Sequence, residues 1–138
     1  MTKAKTYLLD TSALMTLIEG EHGADRVSYL LKHEHIFIAA PSLCEVMYIT
    51  LQERDEQEAD IRYAMLLQSG AHILRQMSES VVLNAAHFKA KFRLSFADAL
   101  IAAFAVDQSA TLVHKDPEMD ALIDSLALER LPSKKSRA

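Results

Sequence analysis

Glycine, proline, cysteine and tryptophan are all scarce in this chain of 138 residues, which has 3 Gly, 3 Pro, 1 Cys and no Trp. With only Gly20, Gly23 and Gly70, neither GxxxxGK[ST] nor GxGxxG can be written. The phosphate-cradling glycine loops are therefore excluded. The single cysteine, Cys44, rules out an internal disulfide framework and a cysteine-based zinc cluster. No apolar run reaches the roughly 18 residues of a membrane span. The segment Met1 to Tyr7 has no signal-peptide layout and runs straight into a strand pattern. The expectation is a cytoplasmic protein with no membrane partner. The histidines show neither HExxH nor a close metal-ligand spacing. The net charge of −4 does not advertise a nucleic-acid binder.

What is present reads as an ordinary globular domain, 50% hydrophobic and 25% charged. Strand and helix periodicities alternate along it. Strands are expected at Thr6 to Leu9, Ile36 to Ala40, His72 to Leu74 and Thr111 to His114, with a possible edge strand at Leu128 to Leu131. Helices are expected at Thr11 to Ile18, Ala24 to His33, Pro41 to Arg54, Glu56 to Ser69, Glu79 to Phe92, Ser95 to Ser109 and Pro117 to Ser125. Gly70 should close the fourth helix from C′, where a left-handed residue ends helices. This alternation implies right-handed crossovers and a mostly parallel α/β sheet of four to five strands, flanked by helices. Residues 1–131 should form one domain. Residues 132–138 form a short basic tail that carries Lys134, Lys135 and Arg137 and no acid.

Four carboxylates stand out. Asp10 ends the first strand, Glu45 lies one turn into the helix after the second, and Asp116 follows the strand ending at His114. Asp98 lies one turn into the helix that starts at Ser95. In open α/β sheets, ligands bind beyond the carboxyl ends of the strands. Each acid also has a plain structural reading as a helix cap: Ser42-x-x-Glu45 and Ser95-x-x-Asp98 resemble capping boxes, and Asp10 and Asp116 can be N-caps. The expected burial favours more than capping. From Phe96 to Val106, Asp98 is the one polar residue. Glu45 sits among Leu43, Cys44, Val46, Met47, Tyr48, Ile49 and Leu51. A lone buried carboxylate is costly without compensation. Four such acids in one pocket would repel one another, and a divalent cation relieves that. Oxygen ligands without Cys or a His cluster point to Mg²⁺, with Mn²⁺ a ready substitute. Such a site suits phosphodiester hydrolysis.

The segments LLDTSAL (8–14), SLCEV (42–46), SFADALIAAFA (95–105) and LVHKDPEMD (112–120) resemble, in order and spacing, the four signatures of the PIN domain. The resemblance covers nearly the whole chain and is closest to the VapC-type toxin ribonucleases of toxin–antitoxin pairs. It implies a PIN-like three-layer sandwich and a Mg²⁺-dependent endoribonuclease that leaves 5′-phosphate and 3′-hydroxyl ends. Carried over by position, Asp10, Glu45, Asp98 and Asp116 become the catalytic quartet. Asp10, Asp98 and Asp116 are then the metal ligands, and Thr11 and Ser12 are supporting hydroxyls. One departure is His114, where many relatives have Thr or Ser. It either contacts an acid or a phosphate, or merely ends a strand. The resemblance also implies an RNA substrate, a small antitoxin protein and a homodimer. An RNA-processing nuclease without an antitoxin, and a non-catalytic RNA- or protein-binding module, are the alternatives. A receiver or a HAD-like phosphatase is disfavoured, since Asp10-Thr11-Ser12 is neither an acid pair nor D-x-D.

Lys89, Lys91, Arg93 and Lys115 lie close to these acids in sequence. They are either cations at a helix terminus or phosphate contacts for RNA. Glu118 and Asp120 are second-tier acids beside Asp116. Cys44 is expected to be buried; Met47, Tyr48 and Met65 either face a partner or pack in the core, and core packing is the expectation. The acidic run Glu53 to Asp60 is expected to be a solvated turn.

Overall fold

Each short apolar segment becomes a strand and each amphipathic segment a helix in the computed structural model, which describes residues 4–133. Strand β1 (Thr6–Leu9) leads into α1 (Thr11–Glu19) and α2 (Ala24–His33), and the chain returns to β2 (His35–Ala39). Helices α3 (Ala40–Glu53) and α4 (Glu56–Leu67) connect to β3 (His72–Leu74). Helices α5 (Glu79–Lys91) and α6 (Phe96–Asp107) precede β4 (Thr111–His114). A 3-10 turn (Pro117–Leu122) and β5 (Leu128–Arg130) come last. Lys134, Lys135 and Arg137 of the expected basic tail lie outside the described residues.

The five strands form one sheet in the order β3-β2-β1-β4-β5, and every pairing is parallel. Alternation along the strands separates two apolar layers. Leu8 and Leu112 face α5 and α6, together with Ile101, Phe104 and Leu122. Tyr7, Leu9 and Val113 face the other side, with Leu14, Leu30, Val46 and Leu66 of helices α1 to α4. This is the three-layer α/β arrangement expected. Leu8, Leu112 and Phe104 are at most 1% exposed. Burying a side chain of this size contributes about 1.5–3 kcal/mol. The central place of α6 follows from its composition: Ile101 to Ala105 are all buried.

Several boundaries differ from expectation. Ala40 opens α3 instead of closing β2, and the N-cap is Ala39, whose side chain caps nothing. Ser42 therefore lies inside the helix, so Ser42 and Glu45 do not form a capping box. Gly70, at φ +93°, lies two residues beyond the Gln68 C-cap of α4 and not at C′. Residues after Pro117 form a 3-10 turn ending at Leu122, shorter than the helix expected to Ser125. Helix α3 is amphipathic despite its apolar composition. Leu43, Val46 and Thr50 share the buried face at helical spacing. Cys44, Tyr48 and Leu51 fall on the other side and are exposed, as is Met65 on α4. Cys44 is thus not a buried small residue, and Tyr48 and Met65 are not core.

Candidate active site

The topology dictates where the four acids go. In a parallel sheet, a crossover helix begins at the carboxyl edge of the strands and runs back along the sheet. Asp10 follows β1 directly and Asp116 follows the end of β4 after one residue, Lys115, while Asp98 and Glu45 lie in the opening turns of α6 and α3. Strands β1 and β4 also flank the point where strand order reverses, since β2 and β3 lie to one side and β5 to the other. That reversal opens the crevice in which α/β sheets bind ligands.

Asp10 is 2% exposed and caps α1, accepting from the Ala13 N–H at 2.8 Å. Its Oδ1 also accepts from the Ser12 hydroxyl at 2.7 Å. Ser12 Oγ in turn accepts from the Lys115 N–H at 2.9 Å, joining the ends of β1 and β4. The Thr11 hydroxyl donates to Glu45 Oε1 at 2.6 Å, joining α1 to α3. Ser95 caps α6 by accepting from the Asp98 N–H at 3.1 Å. Asp116 accepts from the Glu118 N–H at 2.9 Å. Asp10 and Asp116 are therefore caps, and Asp116 also belongs to a convergent group. One carboxylate oxygen from each of Asp98, Asp116 and Glu118 lies within 4.8 Å of the others.

The electrostatics match this crowding. Burial pushes the Asp10 carboxyl up from 3.8 to about 7. Hydrogen bonds from Ser12 and Ala13 oppose the shift, and the charges of Asp98 and Asp116 add to it. Burial likewise raises Asp98 to about 6, opposed by Ser95 and reinforced by Glu45, Asp116 and Glu118. These carboxyls resist ionisation because burial strips them of water and neighbouring acids add like charge. A hard divalent cation with oxygen ligands is the group such a donor set fits.

A family model described as the PIN domain matches residues 7–124. The chain belongs to the PIN domain family. No curated protein matches it. Among solved structures, it resembles VapBC2 from Rickettsia felis, solved with a promoter DNA fragment, at a TM-score of 0.76 and 19% identity, covering 92% of this chain and 99% of that one. VapBC-1 from nontypeable Haemophilus influenzae aligns at 0.70 and 21%, covering 91% and 97%. VapC20 from Mycobacterium tuberculosis, a sarcin–ricin loop cleaving toxin, aligns at 0.70 and 15%, covering 91% and 99%. At these identities the likeness establishes a shared fold.

The tight trio in this PIN domain differs from the expected ligand set. It includes Glu118, a second-tier acid in the sequence, and leaves out Asp10, which interacts with Asp98 and Asp116 through charge. The available signal was Asp-Pro-Glu one residue after a strand: Pro117 starts a tight turn and Asp116 caps it, which folds Glu118 back onto Asp116. His114 is fully buried, and burial lowers its pKa. Its Nδ1 lies 2.9 Å from the Asp116 carbonyl oxygen.

The basic residues are engaged locally. Lys89 Nζ donates to the Leu94 carbonyl at 2.7 Å and closes the turn after α5. Lys91 Nζ stands 5.4 Å from the Phe92 ring centroid. Lys115 Nζ reaches the His22 carbonyl at 2.8 Å and Glu21 at 3.4 Å, on the turn between α1 and α2. Arg93 is exposed.

Proposed function

We propose that this PIN domain is a metal-dependent endoribonuclease, cytoplasmic, and the toxin of a toxin–antitoxin pair. The observation that carries the reading is the convergence of Asp98, Asp116 and Glu118 beside a buried Asp10 whose carboxyl is raised to about 7. Asp98, Asp116, Glu118 and Asp10 would hold Mg²⁺ or Mn²⁺. When bound, the cation neutralises charge on the phosphodiester oxygens and acidifies a water. Glu45, tied by Thr11 and close enough to Asp98 to raise its pKa, orients water or accepts its proton. Ser12 holds Asp10 ready to ionise when the cation arrives. Arg93 and Lys91 supply positive charge for an RNA backbone.

The antitoxin part of the proposal is supported by solved relatives that are VapBC complexes. A homodimer, which we also propose, and the antitoxin are both supported by Tyr48, Leu51, Ile61 and Met65, large apolar side chains exposed on α3 and α4. Exposed apolar side chains in such numbers suit a protein partner. An acidic cluster also attracts a basic side chain from such a partner.

The test is incubation of the purified chain with mixed cellular RNA, with Mg²⁺, with Mn²⁺ and with EDTA, alongside Asp98→Asn. Cleavage should require the metal and vanish in the variant. Cleavage that persists in EDTA or in Asp98→Asn would refute the assignment. Absence of cleavage combined with unaltered Mn²⁺ binding by the variant would leave a non-catalytic PIN module.

A further inference from the structure

His114 is a fully buried imidazole two residues before Asp116. It ends β4 with no exposed surface, between the sheet and the turn that carries Asp116 and Glu118. A carbonyl oxygen only accepts, so the contact with the Asp116 carbonyl requires Nδ1 to carry the proton. That leaves Nε2 as a buried nitrogen with no hydrogen-bond partner among the described residues. Asp120 Oδ1 stands 3.7 Å from it, beyond hydrogen-bond reach. A buried polar atom left unpaired is costly, and an apolar side chain of similar volume would avoid that cost. The imidazole is therefore explained by what Nδ1 does.

That hydrogen bond acts on the backbone beneath the acid trio. The Asp116 carbonyl accepts from His114 Nδ1 at 2.9 Å and from the Met119 N–H at 3.1 Å. It belongs to the peptide bond that enters Pro117, whose ring fixes the next φ. Orienting that peptide plane sets both the Asp116 carboxylate and the N–H of Glu118 to which it bonds. The other side of the turn is anchored too. The Leu131 N–H donates to the His114 carbonyl at 2.7 Å, and Arg130 pairs with Asp120 at 3.0 Å.

We infer that His114 is a positioning residue: its Nδ1–H clamps the Asp116 backbone and thereby sets Asp116 and Glu118 against Asp98. The inference rests on the reading of these acids as a cation site. It predicts a dependence on where the donor sits in the side chain. Asparagine places an N–H near the Nδ1 position, glutamine places one near Nε2, and leucine fills the volume with no donor.

The experiment is Mn²⁺ titration of wild type, His114→Asn, His114→Gln and His114→Leu, with metal-free thermal unfolding of each to establish folding. His114→Leu and His114→Gln should weaken Mn²⁺ binding about 10- to 100-fold, the usual effect of losing a hydrogen bond that orients a ligand, and His114→Asn should stay within about threefold of wild type. Wild-type affinity in folded His114→Leu, or equal losses in the asparagine and glutamine variants, would overturn the inference. Asp98→Asn separates the two levels. If it abolishes Mn²⁺ binding while His114→Leu does not weaken it, only the role of His114 fails. If Asp98→Asn binds Mn²⁺ as wild type does, the site itself fails.

Discussion

Replacing Asp10 by asparagine should stabilise the metal-free protein above neutral pH, although it removes a residue of the proposed site. Asp10 is buried, and its carboxyl is raised from 3.8 to about 7, so folding works against its ionisation. Below pH 3.8 the carboxyl is protonated in both states and imposes no penalty. As pH rises, the unfolded chain ionises first while the folded protein must keep its proton. Stability then falls by about 1.36 kcal/mol per pH unit. Once the pH passes about 7 both states are ionised and the full penalty is present. Accumulated between pH 3.8 and about 7, that penalty reaches ~4 kcal/mol. Asparagine cannot ionise, and its Oδ1 can still accept from Ser12 Oγ and the Ala13 N–H. Its amide group needs partners of its own, at a cost of about 1 kcal/mol or more. The net gain at pH 8 is therefore about 2–3 kcal/mol. Urea unfolding of both proteins in EDTA, from pH 5 to pH 8, measures it. The gap should widen in favour of Asp10→Asn up to about pH 7 and then level off. Saturating Mg²⁺ should then reverse the order, because a cation that binds only the folded state stabilises wild type by mass action. Parallel stability curves, or a variant less stable than wild type at pH 8, would refute the burial argument.

The hydrogen bonds and turns of the molecule carry two further expectations. Ser12→Ala removes a hydroxyl that bonds both Asp10 Oδ1 and the Lys115 N–H, so stability should fall by about 1–2 kcal/mol. Because that hydrogen bond lowers the pKa of Asp10, its loss should move the pH midpoint of Mn²⁺ binding upward, and a pH titration of binding reads this directly. Gly23→Ala should destabilise more than Gly20→Ala. At Gly23 the φ is +102° and an added Cβ would lie 3.2 Å from Leu131 Cβ, whereas Gly20, at +64°, has open space. Thermal unfolding should show a loss of about 1–3 kcal/mol at Gly23 and about 1 kcal/mol at Gly20.

Local periodicity made most of the architecture legible. The strand Thr6 to Leu9 and the helix after Asp10 were visible because β1 alternates between two buried layers and Asp10 caps α1. The one-residue error where β2 meets α3 arose because a Pro in the first turn can sit at more than one position, and no side chain caps Ala39 to settle it. Exposure was harder to read. Cys44, Tyr48 and Leu51 look like core residues by type, but helix geometry turns them away from Leu43 and Val46. Hydrophobicity shows which side chains gain by burial. It does not show which face finds a neighbour.

The site shows the same division in sharper form. Asp10, Glu45, Asp98 and Asp116 could be chosen from sequence because each stands near a strand end or a helix start, and a parallel sheet gathers those ends at one edge. For Asp10 and Asp116, the cap and the proposed site role are compatible. The hydrogen bond that caps the turn is also what fixes the carboxylate in place. Glu118 was harder to rank, because nothing in its own neighbours distinguishes it from a surface acid in a first turn. Its place depends on Pro117, on the Asp116 cap and on a hydrogen bond from His114 two residues before Asp116. The gathering of the acids at one sheet edge is thus set by topology, and their relative placement by short-range hydrogen bonds among Ser12, His114, Asp116 and the backbone. Substitutions at Ser12 and His114 should therefore change metal affinity while leaving the fold intact, whereas those at Leu8 or Leu112 should change stability first.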